Sequence, residues 1–482
     1  MTPQHLDRLS AADTAFLAQE DRGMHAHIGW VMIADGPPPA YADLLKHVKS
    51  RLHLVPRYRQ KIAYPALQIA RPLWIDDPRF NIEYHVRHTA LPAPGSMEQL
   101  RAHVGRIFSQ GLDRSKPLWE LWMVQGLRDD RFAVINKAHR ALVDGLGGFD
   151  ITTILFDASK DPRPVPPPAH AWIPRREPTP AELMLVGAQE VLAAPMAAAR
   201  QTLDALSEPD KTYANARQLL QGIGEVAAAY LDPPSPTPLN VALGTHRRVL
   251  WKRYQLGDFK TIKNAFGATI NDVYLAVVSG MLAYWLRSRG LRTRGLHMRA
   301  AIPISLHEGV SGKGHIIECF APLPVGANDP VERLRIVRRA LEDLKSSKQA
   351  LGAEAIGAVQ EFAPPALLAR TSRLAFSTRL FNLVATNVPG PQFPLYLMGR
   401  EVEQIGPVGF LVDNCALMVI LVSYNGKLEL GLTADADAIP DLDDLGGYAD
   451  DAVKELVEAA EREKHKLKID GKASKAKRGQ VP

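Results

Sequence analysis

Chemistry in this 482-residue chain centres on His139 and Asp144, in the run His139-Arg140-Ala141-Leu142-Val143-Asp144-Gly145. An imidazole takes up a hydroxyl proton near neutral pH, and a carboxylate five positions on can brace the turn or hold an adjacent cation. Gly145 and the Gly147-Gly148 pair let a substrate approach the backbone closely. Taken alone, a His-x4-Asp-Gly string describes a structural loop more often than a catalytic one.

Three other groups carry chemical interest. Pro117-Leu118-Trp119-Glu120-Leu121-Trp122 is aromatic-rich and suits either a core or the lining of an acyl tunnel. Thr386-Asn387-Val388-Pro389-Gly390-Pro391 fixes a rigid turn that ends a strand or closes over a cleft. His25 with His27, and His85 near His88, raise the question of a metal. No carboxylate or cysteine at ligand spacing completes either pair, so both are expected on solvated strand faces, with no metal. There is no Gly-x-Ser-x-Gly elbow, Walker loop, dinucleotide fingerprint or His-Glu-x-x-His.

The elements that must position these residues follow from pattern. Ser10-Ala11-Ala12-Asp13 has the form of a capped helix start, and Ile28 to Ile33 reads as a buried strand. Asn81 to Arg87 alternates with period two and predicts a strand; a helix is expected over Ser96 to Ser109. Trp119 to Val124 and Phe132 to Ile135 form a hairpin through Arg128-Asp129-Asp130-Arg131, which delivers His139 at a strand mouth. Dense proline between Asp161 and Pro180 predicts a linker, and the Ala- and Leu-rich stretch from Ala181 to Tyr230 a helical crossover. Strands are then expected at Arg247 to Gln255, Met298 to Ile304 and Cys319 to Leu323. Helices are expected at Phe259 to Phe266 and Pro330 to Lys348. A charge-free helix runs to Leu286, opened by Asn271 and Asp272 as capping residues. Leu417 to Tyr424 and Lys427 to Thr433 pair through Asn425-Gly426. Strands alternating with helices in both halves mean α/β.

Hydrophobic residues at 46% and charged residues at 23% describe a packed globular protein. The N-terminus lacks the pattern of a signal peptide, and no apolar run reaches the length of a membrane span. Cys319 and Cys415 form no CxxC pair and are expected as reduced core residues. From Glu461 to Pro482 eight Lys or Arg stand against three acids, so most of the net charge of +6 sits in a tail expected to be disordered. Such a tail suits anionic lipid better than nucleic acid, because no aromatic residue is interleaved for base stacking. The expected organisation is therefore a first lobe over 1–160, a linker and crossover over 161–238, a second lobe over 239–460 and the tail over 461–482.

In order along the chain, several motifs resemble those of the bacterial wax ester synthase/diacylglycerol acyltransferases. They are Leu9 to Asp13, Met24-His25, Trp74 to Pro78, His85-Val86-Arg87, Leu112-Asp113-Arg114, Pro117-Leu118-Trp119, Lys137 to Gly145, Asn271-Asp272-Val273 and Asn387 to Pro391. The resemblance implies a two-lobed fold like chloramphenicol acetyltransferase, with a tunnel between the lobes. It implies transfer of a fatty acyl group from acyl-CoA to a diacylglycerol or a long-chain alcohol. Acyl-CoA enters as a substrate and no cofactor is implied. Family members are cytoplasmic and contact membranes or lipid bodies peripherally.

Residue by residue, His139 matches the first histidine of the family's His-His-x-x-x-Asp-Gly motif, Asp144 its aspartate and Gly145 its glycine. Pro117, Leu118, Trp119, Asn271 and Asp272 match motifs that shape the substrate channel. Position 140, the family's general base, is arginine here. Gly312-Lys313-Gly314-His315 departs from the family's usual Gly-Asn.

A guanidinium with a pKa above 12 cannot serve as a base, and a positioned base contributes about 10² to 10⁴ in rate. Three outcomes follow. His139 serves as base while Arg140 stabilises the oxyanion or the leaving thiolate. Alternatively, Arg140 pairs with Asp144 in a silent protein that binds acyl chains or acyl-CoA. The third, transfer to polyketide or peptide carriers, fits the outlying motifs less well.

Overall fold

A computed structural model describes residues 7–20, 23–65, 70–143, 154–161, 164–188, 231–305, 316–346 and 380–478. The early helices begin where local chemistry starts them. Ser10 caps α1 (Ala11–Gln19) by accepting the Asp13 amide N–H, and Ser96 with Gln99 closes a reciprocal capping box on α4 (Met97–Phe108). Between them lie α2 (Tyr41–Arg51) and α3 (Ile82–His85).

Residues 81–87 are not the single strand that their alternation predicts. Asn81 accepts the Glu83 amide N–H and starts the one-turn helix α3, and the strand β5 (Val86–Ala90) begins only afterwards. A local side-chain cap outweighs a period-two pattern this short.

The first sheet has the order β12 (Tyr396–Leu397), β13 (Arg400–Val408), β2 (His27–Ala34), β7 (Arg131–His139), β6 (Trp119–Leu127) and β5. The β6–β7 hairpin turns through Asp129 and Asp130, both at positive φ, as the Asp-Asp sequence allows. A small sheet of β1 (Asp7–Arg8), β4 (Leu73–Asp76) and β3 (Gln60–Ala63) flanks it in the chain's first half.

The second sheet has the order β10 (Ile316–Leu323), β9 (Met298–Ser305), β11 (Leu383–Pro389), β14 (Leu417–Tyr424), β15 (Lys427–Asp435) and β8 (Arg247–Gln255). Parallel pairs at β9–β11 and β11–β14 here, and at β5–β6 in the first sheet, sit among antiparallel ones, so both sheets are mixed. Helices α5 (Leu256–Phe266), α6 (Ile270–Ser288), α7 (Pro330–Ser346) and α8 (Leu442–Arg478) complete the second lobe. The apolar helix α6 is buried among the others and the sheet, as its charge-free sequence predicts. Cys319 and Cys415 are both buried and form no disulfide.

Three expectations are corrected. Tyr396 to Val408 belongs to the first sheet rather than the second lobe: β13 pairs with β2 from Val402 opposite Ala34 to Val408 opposite Gly29. The tail is helical to Arg478, because 461–478 holds no proline and consists largely of residues that favour helix. Asn271 does not cap α6. Thr269 is the N-cap, and Asp272 closes the box by accepting the Thr269 amide N–H at 2.7 Å.

The lobes meet where β13 passes the second sheet. Trp251 lies across Gly406, where an added Cβ would come within 2.5 Å of the indole, and its Nε1 donates to Pro407 O at 2.9 Å. Only glycine fits beneath that ring. Among the described residues no single helix is long and apolar enough to cross a membrane. Helices α5 and α6 together pass by composition, but a 101° bend separates them.

Candidate functional site

His139 is the last residue of β7, directly opposite His27 on β2. Its amide N–H donates to Leu118 O at 2.9 Å, so the Pro117-Leu118-Trp119 segment is tied to the motif through the backbone. The chain then turns into a short 3-10 helix, Arg140–Leu142, with His139 as N-cap. The Ala141 amide N–H donates to Nδ1 of His139 at 3.0 Å. In the neutral ring this places the proton on Nε2, which lies 3.1 Å from Glu20 Oε1. With 1% of its surface exposed, His139 points wholly inward.

Glu20 follows the end of α1. Its Oε1 accepts the Ala26 amide N–H at 2.9 Å, and its Oε2 pairs with Arg114 Nη2 at 2.7 Å. Burial alone would raise this carboxyl, but His139 and Arg114 hold it down to about 2. Glu20 is therefore a buried anion serving a histidine and an arginine at once.

Lys137, two residues before His139, is buried on the same side of the strand. Its Nζ donates to Ile107 O at 2.9 Å and to Gln110 O at 2.5 Å, a cation capping the carbonyl end of α4. Burial pushes its pKa down to about 8. His27 is also buried, and desolvation together with the nearby Lys137 charge pushes it well below its ordinary value, so its ring is neutral.

Arg140 is half-buried. Its Nη1 donates to Val143 O at 2.9 Å, and its guanidinium lies 5.7 Å over the Phe16 ring. Phe16 in turn meets Phe410 edge-to-face at 5.6 Å, and Phe410 packs on the second lobe's core. Arg140 therefore sits at the seam of the lobes. Arg247 of β8 holds the same seam, donating to Gly23 O and to Gly244 O and pairing with Asp435.

Leu118 and Trp119 come together with His139. Trp119 is fully buried, with Nε1 donating to Tyr58 O at 2.8 Å and its ring stacked on His85 at 4.6 Å. That is a core position one strand away from the motif. Asp272 is committed to the cap of α6 and Asn271 is half-buried beside it. Asp144, Gly145 and 312–315 lie outside the described residues, as does the crossover beyond 188. Gly390 ends β11 by donating its amide N–H to Ser423 Oγ.

The expectation that His25 with His27, and His85 near His88, lie on solvated strand faces fails at His27 and at His85, which is 1% exposed. His27 is 2% exposed, and Glu20 supplies the carboxylate that sequence spacing did not show. Glu20 gave no signal of its own in a charged Glu-Asp-Arg run; the fold alone brings Arg114 and His139 to it.

The model of the wax ester synthase/diacylglycerol acyltransferase catalytic domain matches residues 9–274, and the C-terminal domain of the same family matches 315–457. A Mycobacterium tuberculosis protein named as a diacylglycerol O-acyltransferase is 30% identical over 95% of this chain and 91% of its own. A second from that organism is 29% identical over 95% and 97%. The wax ester synthase/diacylglycerol acyltransferase of Marinobacter aquaeolei VT8 superposes with a TM-score of 0.67 at 25% identity, covering 94% of this chain and 99% of that one. A starter condensation domain of rhizomide synthetase, solved with C8-CoA and Leu-SNAC, shares the fold at a TM-score of 0.54 and 12% identity, covering 94% of both chains. The two-lobed α/β fold and the motif order agree with these matches, and the chain belongs to the wax ester synthase/diacylglycerol acyltransferase family.

Proposed function

We propose that the protein moves a fatty acyl group from acyl-CoA to the hydroxyl of a diacylglycerol or a long-chain alcohol, more slowly than a relative with histidine at position 140. The acceptor oxygen attacks the thioester carbonyl, His139 takes the hydroxyl proton once its ring turns away from Ala141, the C–S bond breaks, and that proton passes to the departing thiolate so that CoA leaves as free thiol. The observation that carries this reading is the intact mounting of the motif around His139: strand end, Leu118 pairing, Ala141 cap and Glu20 contact are all present.

Within that reading Arg140, at the lobe seam, supplies positive charge to the oxyanion or the departing thiolate rather than accepting a proton. Asp144 and Gly145 shape the motif loop. Pro117, Leu118, Asn271 and Asp272 support the walls of a channel between the lobes, and Trp119 backs Leu118 from the core. The lobe limits near 160 and 239, and peripheral contact with a cytoplasmic membrane face or lipid bodies, belong to the same proposal.

A second reading, a silent protein that binds acyl-CoA or acyl chains, is favoured by one observation. Nδ1 of His139 is taken by the Ala141 amide N–H and Nε2 faces the Glu20 anion at 3.1 Å, so serving as base would require the ring to leave this arrangement. Thiol release from palmitoyl-CoA with hexadecanol or diolein decides between them. Acceptor-dependent release supports transfer; acyl-CoA binding without release supports the silent reading.

A further inference from the structure

We propose that Glu20, His25 and His27 form a binding site for a divalent transition metal of the zinc class, which shares Glu20 with the contact that orients His139. One ligand atom from each lies within 4.8 Å of the other two. Two imidazoles and one carboxylate are a donor set that zinc, cobalt and nickel take readily, leaving a fourth position open.

The second observation concerns His27. Its ring is buried and Nε2 faces Glu20 Oε1 at 3.8 Å, while Nδ1 meets no hydrogen-bond partner. Buried polar groups are rarely left this way, and doing so costs about 1–3 kcal/mol. His25 stacks on the His27 ring with ring centroids 5.2 Å apart and is only half-buried. Tetrahedral bonds of about 2 Å require the three donors to draw together to a spacing of roughly 3.4 Å when the metal binds.

The surrounding charges set the metal class. Arg114 occupies Oε2 of Glu20, which leaves Oε1 as the ligand oxygen, where the Ala26 amide N–H and His139 Nε2 already compete. Lys137 and Arg114 both lie within electrostatic reach of His27 and oppose a cation. Metals held by strong imidazole bonds overcome that opposition; Mg²⁺ and Ca²⁺, which prefer oxygen, do not.

The test is titration of the chelator-treated full-length protein with Co²⁺ as an optical probe and Zn²⁺ as competitor. We expect one Co²⁺ per chain, with the intensified visible absorption of a four-coordinate ion, displaced by Zn²⁺ and unaffected by Mg²⁺. His25→Ala lowers the affinity at least about 10- to 100-fold, the loss seen on altering even a residue behind a ligand. Zn²⁺ raises the thermal midpoint of the natural protein but not of His25→Ala or of the milder His25→Gln. Equal Co²⁺ binding by the natural and His25 variants, or no binding at all, overturns the proposal.

Discussion

Nε2 of His139 lies 3.1 Å from Oε1 of Glu20, while its Nδ1 accepts the Ala141 amide N–H. The contact joins the end of α1 to the end of β7 and fixes the tautomer and direction of the motif's one remaining histidine. Glu20 is held as an anion by this ring and by Arg114, so the same carboxylate orients the site and ties two distant segments together.

Glu20→Gln tests that tie. The folded carboxyl titrates at about 2 against an ordinary 4.5. Its stabilising contribution is therefore complete above pH 4.5 and is lost as pH falls towards 2. The contribution is on the order of 3 kcal/mol. Urea unfolding of the natural protein should show a steeper loss of stability across that window than Glu20→Gln does. Equal slopes would mean that Glu20 is not paired in solution.

Lys137 has the opposite linkage. Its folded pKa of about 8 lies below the ordinary 10.5. The buried charge costs stability below 8, and the cost is relieved as pH rises from 8 to 10.5. Lys137→Met should abolish that alkaline gain. It also leaves Ile107 O and Gln110 O without their donor, a loss of about 1–3 kcal/mol that opposes the relief of the buried charge at pH 7 and stands alone at pH 10, so the variant should fall further below the natural protein at pH 10. Unfolding midpoints at pH 7 and pH 10 measure both effects.

Trp119 distinguishes a channel wall from a core. Its indole is fully buried between His85 and Tyr58. Trp119→Phe removes the donor to Tyr58 O and leaves a void, which should cost about 2 kcal/mol or more. The thermal midpoint should fall while the preference for acyl chain length stays unchanged. A shifted preference at unchanged stability would assign Trp119 to the channel.

Much of this architecture is legible in the residues. Ser10 and Ser96 announce their helices, Asn425-Gly426 and Asp129-Asp130 announce their hairpins, and the charge-free run to Leu286 announces the buried helix α6. What could not be read depends on distant partners or on close competition. Glu20 becomes notable only once Arg114 and His139 arrive beside it. The sheet that β13 joins is set by its pairing with β2, not by its own sequence. At 81–87 the Asn81 cap and the strand pattern compete over too few residues for periodicity to decide, and at the basic tail helix propensity prevailed over a composition that suggests disorder.

The central claim is that this site transfers acyl groups without a base at position 140. It is tested most directly by thiol release from palmitoyl-CoA with hexadecanol or diolein, comparing the natural protein with Arg140→His. The account predicts slow, acceptor-dependent release from the natural protein and a rise of about 10² to 10⁴ in the variant. No release above buffer from the natural protein would contradict it.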